Sequence, residues 1–426
     1  MPSDSGFNVR ILTSEKYNEL QAEMSKVGSE WAGVVKMARK ARHFVVKVHN
    51  LRTPAVLILK EEMLSKGGDC AIHRDAIVHR LDRSDCILIG TQKTFHLMLK
   101  ELHAQPFELP RLADEIRSAL DAFGKNVPAE PKEDELSGSL CRFYSEMRKR
   151  TLIMGILNVT PDSFSDGGQH SAFDTAVEHA LCMIEEGADV IDIGGESSRP
   201  NAEPVSAEDE LARVIPVIEA LSGRIEIPIS IDTYKPEVAR AALDAGASII
   251  NDITGFAVPG MSALAAERRC PSIIMHMKGT PKTMQNNPVY DDVVDEIMSY
   301  FRERISATEE AGLPKEYLII DPGIGFAKTA EHNLEILRKL SDLKSIGLPI
   351  LVGSSRKAFI GRILGGVSIE ERVFGTAATV ALSVAHGANI VRVHDVKEMK
   401  QVALVADAIL HQGEDIEPEH IVYGKT

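Results

Sequence analysis

After residue 140 the chain repeats one pattern: a short β-branched run, then a stretch with helical spacing of apolar residues. Three copies share a phrase, Glu186-Gly187-Ala188-Asp189-Val190-Ile191-Asp192, Ala245-Gly246-Ala247-Ser248-Ile249-Ile250-Asn251 and His386-Gly387-Ala388-Asn389-Ile390-Val391-Arg392. Each reads as a helix stopped by a left-handed glycine cap, then a buried parallel strand ending in a polar group. The same reading gives strands at Leu152–Asn158, Val190–Ile193, Ile229–Ile231, Ile249–Asn251, Ser272–Met275, Leu318–Ile320, Ile350–Val352 and Ile390–Val393. Eight βα units predict an α/β fold of the (β/α)8 TIM-barrel class over residues 140–426.

Before that, mixed periodicity predicts an additional small N-terminal α/β domain over residues 1–123. Strands are expected near Val9–Leu12, Phe44–Val48 and Cys86–Ile89, with helices over Tyr17–Met24, Trp31–Ala38, Val56–Leu64, Phe95–Leu102 and Leu112–Phe123. The segment 124–139, GKNVPAEPKEDELSGS, has prolines, acids, Gly and Ser in place of apolar periodicity and reads as a solvated linker. His73, Asp75, His79 and Asp82 lack metal-ligand spacing and read as surface groups.

Composition narrows the class of function. The 426 residues carry 48 Lys plus Arg against 62 Asp plus Glu, a net charge of −14, which argues against nucleic acid as a partner. No apolar run is long enough for a membrane span, and Met1–Arg10 lacks a signal-peptide pattern, so a cytoplasmic protein without a membrane partner is expected. The five cysteines are scattered and never spaced CxxC, which suggests buried thiols, not disulfides or a zinc site.

In a barrel of this kind function sits where strands end. Those ends carry Asn158, Asp192, Asp232, Asn251, His276, Asp321, the Ser355-Arg356-Lys357 turn, and Arg392 with His394. Asx residues also cap helices, but so many polar groups on one rim point to a shared site. The loop from Asn158 to Gly168 is rich in oxygen donors and ends in paired glycines, as a lid able to bring hard ligands to Mg2+ would be. A second loop, 194–200, holds Arg199 among small residues, where its planar fork suits phosphate or carboxylate. Arg392 and His394 alternate on one strand and predict a cationic pocket for a diphosphate, unless Arg392 pairs with Asp395 or another acid. Asp232, Asn251 and Asp321 offer acceptors and an amide to the edge of an aminated heterocycle, with Lys357 donating to a ring carbonyl or nitrogen. An anion pocket at one end and a heterocycle clamp at the other suit displacement of diphosphate from a carbon attached to the ring.

The runs GILNVTPDSFSDGG (155–168), IDIGGESSRP (191–200), ISIDTYKPEVA (229–239), INDITG (250–255), DPGIGFAK (321–328), GSSRKAFIG (353–361) and VRVHDV (391–396) together resemble dihydropteroate synthase over about residues 150–415. The resemblance does not cover the N-terminal part. It implies a transferase of folate biosynthesis, a sulfonamide target, that condenses 6-hydroxymethyl-7,8-dihydropterin diphosphate with p-aminobenzoate to give dihydropteroate and diphosphate. It implies Mg2+ at Asn158, pterin contacts from Asp232, Asn251, Met275, Asp321 and Lys357, and diphosphate contacts from Asn158, Arg392 and His394. The p-aminobenzoate pocket would draw on Phe164, Ser198, Arg199, Pro200, Phe326, Lys357 and Ala358. Catalytic roles fall to Asn158, Asp166, Lys357 and Arg392, with Asp166 steadying a pterin-stabilised cation once diphosphate has left. A homodimer is also implied. Ser198, Asn201 and Ala358 stand where many members have Thr, Gly and Ser, and the last two alter the arylamine pocket. The alternatives are a corrinoid-linked pterin methyltransferase barrel, which needs no diphosphate pocket, and a non-catalytic pterin-binding protein.

Overall fold

The glycines that stop three of the helices adopt the conformation their sequence demands. In the computed structural model Gly187, Gly246 and Gly387 have φ of 102°, 120° and 98°, a region only glycine enters without strain. The next residue's amide reaches back each time, Ala188 N–H to Met183 O, Ala247 N–H to Ala242 O and Ala388 N–H to Ser383 O, all at 2.9 Å. The structure describes residues 10–12, 17–124, 129–132, 135–136, 138–159, 169–197, 203–280 and 282–410. The chain divides into two units, Met1–Asp121 and Ala122–Thr426.

The first unit runs α1 (Tyr17–Lys26), α2 (Trp31–Ala41), β1 (His43–Arg52), α3 (Thr53–Ser65), β2 (Asp69–Ile72), α4 (Arg74–Ile77), β3 (Arg83–Thr91), α5 (Gln92–Leu102) and α6 (Leu109–Gly124). Its antiparallel sheet has the order β1-β3-β2. Strict alternation along β3 turns Cys86 and Leu88 toward α3 and α5 and leaves Ile87 and Ile89 exposed. The expected strand near Val9–Leu12 is not found at residues 10–12, the described part of it. β2, at four residues, is too short to show periodicity and was not expected.

In the second unit α7 (Ser139–Met147) precedes β4 (Leu152–Asn158), α8 (Gln169–Glu185), β5 (Val190–Gly194), α9 (Ala207–Leu221), β6 (Ile229–Asp232), α10 (Pro236–Ala245), β7 (Ile249–Asp252), α11 (Met261–Arg268) and β8 (Ser272–Met275). Then follow α12 (Val293–Glu310), β9 (Leu318–Asp321), α13 (Ala330–Arg338), β10 (Leu351–Val352), α14 (Ala358–Ile363), α15 (Val373–Ala385), β11 (Ile390–Val393) and α16 (Val396–Leu410). The eight strands are parallel in the order β10-β11-β4-β5-β6-β7-β8-β9. A bridge between Ile320 and Ile350 closes the ring as a TIM barrel.

Alternate strand residues face opposite ways, and both sets are apolar. Ile153, Ile191, Ile231, Ile250, Ile274 and Ile320 pack outward against the helices. Leu152, Met154, Val190, Ile249, Ile273, Ile319, Leu351 and Ile390 form a separate inner cluster with Phe143, Tyr144 and Met147 of α7. That helix plugs the mouth where the strands begin, leaving their C-terminal ends as the open rim.

Two expectations need correcting here. Segment 124–139 is not simply solvated: Pro131 is buried, Ala129 N–H bonds Gly347 O at 2.9 Å, and Tyr317 donates to Glu135 at 3.0 Å. Of the cysteines, Cys70, Cys86 and Cys270 are buried, but Cys141 and Cys182 lie exposed on helices.

Candidate active site

Strand register brings the polar strand ends to one level. Asn158 of β4 stands beside Gly194 of β5, Gly194 beside Asp232 of β6, and Asp232 beside Asn251 of β7. Across this ring Arg392 of β11 reaches two carboxylates, its Nε donating to Asp192 at 2.5 Å and its second terminal nitrogen to Asp232 at 2.7 Å. Asn251 Nδ2 donates to the same Asp192 oxygen at 3.0 Å, while the other, Oδ1, is buried with no partner among the described residues. Two carboxylates therefore share one guanidinium in a buried setting. Burial, with the repulsion of Asp192, pushes the Asp232 carboxyl above its usual range against the pull of Arg392. Burial also opposes the charge of Arg392, yet Asp192 and Asp232 hold its pKa above the ordinary arginine value.

The β8 and β9 ends form the second part. Asp321 is buried and accepts the Gly323 N–H at 2.7 Å; burial raises its pKa, and the Gly323 bond and the charges of Lys357, Lys328 and Arg392 act the other way. Met275, Ile253, Met284, Phe326 and Ala327 make an apolar cluster on this rim, separate from the two barrel cores. Lys357, which precedes α14, sets its ammonium 4.2 Å from the centre of the Phe326 ring. The pairing places a cation and an aromatic face side by side at the edge of the carboxylate centre.

The third part is the β10–β11 turn. Ser355 Oγ accepts the backbone N–H of His394 at 3.2 Å and lies 3.0 Å from its Nδ1. With the hydroxyl proton on Nδ1, the imidazole keeps its proton on Nε2. Burial, then the charges of Arg392, Arg356 and Lys357, drive its pKa down to about 3, so His394 is a neutral donor at physiological pH. Arg356 is spent on Asp395, at 3.0 Å from Nε to Oδ2. Ala358 is exposed at the start of α14.

The structure thus gathers Asp232, Asn251, Met275, Asp321, Phe326, Lys357, Arg392 and His394 on one rim, with Asn158 at the end of β4. Phe164, Asp166, Ser198, Arg199 and Pro200 lie outside the described residues. One expectation is changed: Arg392 and His394 do not form a joint cationic pocket. Arg392 turns to the carboxylates, and not to Asp395, while His394 turns to Ser355 and is uncharged.

Several participants were given no role from sequence. Asp192 is a strand-end acid like Asp232, and only its register shows that it holds Arg392 and Asn251 together. Glu196, at the base of the second loop, accepts from Tyr234 at 3.0 Å and pairs with Lys235, which also pairs with buried Glu210. Lys328 is buried inside the β9 loop. Their common signal was membership of the seven motif runs or their flanks.

A profile described as pterin binding enzyme matches residues 154–394. Dihydropteroate synthase of Synechocystis sp. is 52% identical over 262 residues, which covers 61% of this chain and 91% of that protein. The solved structure of Xanthomonas albilineans dihydropteroate synthase in complex with 7,8-dihydropteroate superposes with a TM-score of 0.56 at 46% identity, covering 61% of this chain and 94% of that one. A probable bifunctional folylpolyglutamate synthase/dihydropteroate synthase of Halobacterium salinarum is 41% identical over 381 residues, 88% of this chain but 44% of that protein. Residues 122–426 alone cannot supply that length, so the likeness runs into the N-terminal unit. With a matched profile over most of the barrel and a relative covered almost end to end, the chain belongs to the pterin-binding enzymes and, among them, to the dihydropteroate synthase family.

Proposed function

We propose that the barrel joins 6-hydroxymethyl-7,8-dihydropterin diphosphate to p-aminobenzoate, releasing diphosphate and 7,8-dihydropteroate. The observation that carries this is the cluster of acceptors at the rim, buried Asp192 and half-buried Asp232 on one guanidinium with buried Asp321 on the same rim, Asp192 Oδ1 having no partner among the described residues. Buried carboxylates call for donors, and the amino and ring N–H groups of a pterin supply them. Met275, Ile253 and Phe326 offer the flat apolar surface that its rings need.

Chemistry follows from the positions of charge. Electrons of the breaking C–O bond pass to diphosphate, and the Nε2–H of His394 donates to the departing anion without adding a buried positive charge. The arylamine nitrogen then forms the new bond to the methylene carbon and loses a proton to solvent. Lys357, beside Phe326, is placed to meet the pterin ring on one side and the arylamine on the other. The residues fit a Mg2+ ion only in company with substrate: among the described residues no three acids, histidines or cysteines are arranged to hold a metal ion, since Asp192 and Asp232 are taken by Arg392, and Asn158 offers one hard oxygen at the rim. Mg2+ suits such a site, since it takes phosphate oxygens and keeps waters. When bound there it would neutralise charge on the leaving diphosphate.

Two further features complete the reading. Phe374 and Leu382 on α15 and Leu404, Val405 and Ile409 on α16 are 45–84% exposed on adjacent helices, an apolar face that a homodimer would cover. Five unpaired cysteines suit the reducing cytoplasm. No helix among the described residues is long and apolar enough to cross a membrane.

The test is a coupled assay of purified chain with the pterin diphosphate and p-aminobenzoate, with and without Mg2+. Release of diphosphate that requires the arylamine is expected; its absence under all conditions would refute the reading.

Two substitutions probe the separate ends of the site. His394→Ala should weaken the pterin diphosphate and free diphosphate but spare the pterin alcohol, whereas Arg392→Ala should weaken all three, since it also unpairs Asp192 and Asp232. Calorimetry with the three ligands checks the split, and equal losses for both variants would misplace the anion end. Ala358→Ser restores a hydroxyl next to Lys357. A hydrogen bond to a charged group is worth about 1.5–3 kcal/mol, so KM for p-aminobenzoate should fall by roughly tenfold or more with KM for the pterin unchanged. An unchanged arylamine KM would show that this position does not reach the carboxylate.

A further inference from the structure

The loop after β9 is wrapped around a lysine that the reaction as described does not use. Lys328 is 3% exposed, and its Nζ meets three acceptors: Nδ1 of His276 at 3.0 Å, the carbonyl of His276 at 3.2 Å and the carbonyl of Phe326 at 3.0 Å. An ammonium has three hydrogens, and here each has one acceptor. The fit is close on the backbone side as well. Gly323 has φ of 69°, and a Cβ there would lie 2.1 Å from the carbonyl oxygen of His276 and 3.3 Å from Nζ of Lys328. Burial pulls the lysine pKa down to about 7 against the pull of Asp321, while His276, buried beside it, is driven to about 2 and stays an acceptor.

Shape alone does not call for this charge. The same loop is already tied from outside by Gln285 to Gly325 O at 2.9 Å, Tyr290 to Ala327 O at 2.9 Å and Gly325 N–H to Asn333 at 2.7 Å. An ammonium is costly to bury, and a neutral donor would serve two carbonyls. What the charge adds is its field on Asp321, the carboxylate two residues before Gly323.

We propose that Lys328 is a positioning residue for both substrates: its ammonium sits against the Gly323 turn whose N–H holds the Asp321 carboxyl for the pterin and, by gripping the Phe326 carbonyl, it sets the aromatic wall of the arylamine pocket. The inference rests on the function proposed above. Other groups share the field. Lys357 and Arg392 also act on Asp321, Lys357 and Lys278 on Lys328, and the rings of Tyr290 and Tyr300 stand against His276.

Two variants separate charge from grip. Lys328→Gln retains hydrogen bonding without the charge; removing a nearby opposite charge lifts a carboxyl by about one unit or more. The acid limb of kcat/KM for the pterin diphosphate should therefore move up by at least about one pH unit. Lys328→Arg keeps the charge but replaces a three-hydrogen pyramid with a planar fork. Its acid limb should stay, while KM for p-aminobenzoate rises roughly tenfold, the scale of one hydrogen-bond contact. Tm reports folding, and calorimetry with the pterin alcohol across pH gives a readout independent of turnover. If wild-type chain neither binds the pterin nor turns over, the proposed function fails, not this inference. If wild type binds and both folded variants keep its acid limb and its arylamine KM, the inference fails. If neither variant folds, Lys328 belongs to the fold alone and the inference fails as well.

Discussion

Replacing Asp232 or Asp321 with Asn will sharply lower turnover while leaving a folded barrel. Each substitution puts an amide where the pterin's donors require an acceptor, so one donor meets another inside a buried site. The lost partner costs about 1–3 kcal/mol per group, and about 1.4 kcal/mol is tenfold in binding, so kcat/KM should fall by roughly five- to a hundredfold. Stability should change less, because Arg392 keeps Asp192 at 2.5 Å when Asp232 is replaced. Among the described residues Asp321 accepts only the Gly323 N–H, a single bond that Asn can also accept. Steady-state kinetics and thermal melts of both variants check this. Near-normal kcat/KM in either would remove that carboxylate from the pterin clamp.

The second large effect concerns what precedes the first barrel strand in the chain. Deleting residues 1–121 should leave a folded, active protein, since that unit has its own core and every residue placed at the site lies in the other. The Synechocystis relative, matched over 262 residues, points the same way. A cut after residue 147 should not, because it removes α7. Phe143, Tyr144 and Met147 are 3%, 1% and 6% exposed against the inner strand cluster. Truncating one buried aromatic to Ala costs about 3–5 kcal/mol and one buried Met about 2–5 kcal/mol, so losing two aromatics and a methionine costs much of the usual 5–15 kcal/mol of a domain. Phe143→Ala in the full chain should accordingly lose about 3–5 kcal/mol. Tyr144→Phe should be neutral or stabilising, for the Tyr144 hydroxyl is buried without a partner among the described residues. Chemical denaturation of the variants and melts of the two truncations decide it. A stable, active 148–426 fragment would show that the plug is dispensable.

The alternation of β-branched runs and glycine-capped helices, read along the chain, determined the barrel. Those signals are local: a left-handed glycine and a continuous apolar strand carry the same meaning wherever they occur. Strand ends likewise placed Asp232, Asn251, Asp321, Arg392 and His394 on one rim, because a closed parallel barrel brings all its C-terminal strand ends together. What each side chain does there was not local. Arg392 and His394 sit two residues apart, yet one crosses the ring to Asp192 and Asp232 while the other turns to Ser355, 39 residues away. Their protonation follows from burial and from charges on other strands, which no window of sequence contains. The α7 plug carries helical spacing at Leu140, Phe143, Tyr144 and Met147, but what those residues cover exists only once the ring has closed. Lys328 was legible as one letter of a motif; its meaning comes from the two backbone carbonyls and the imidazole that tertiary structure folds around it, because burial disfavours an ammonium and only acceptors brought from elsewhere in the chain offset that cost.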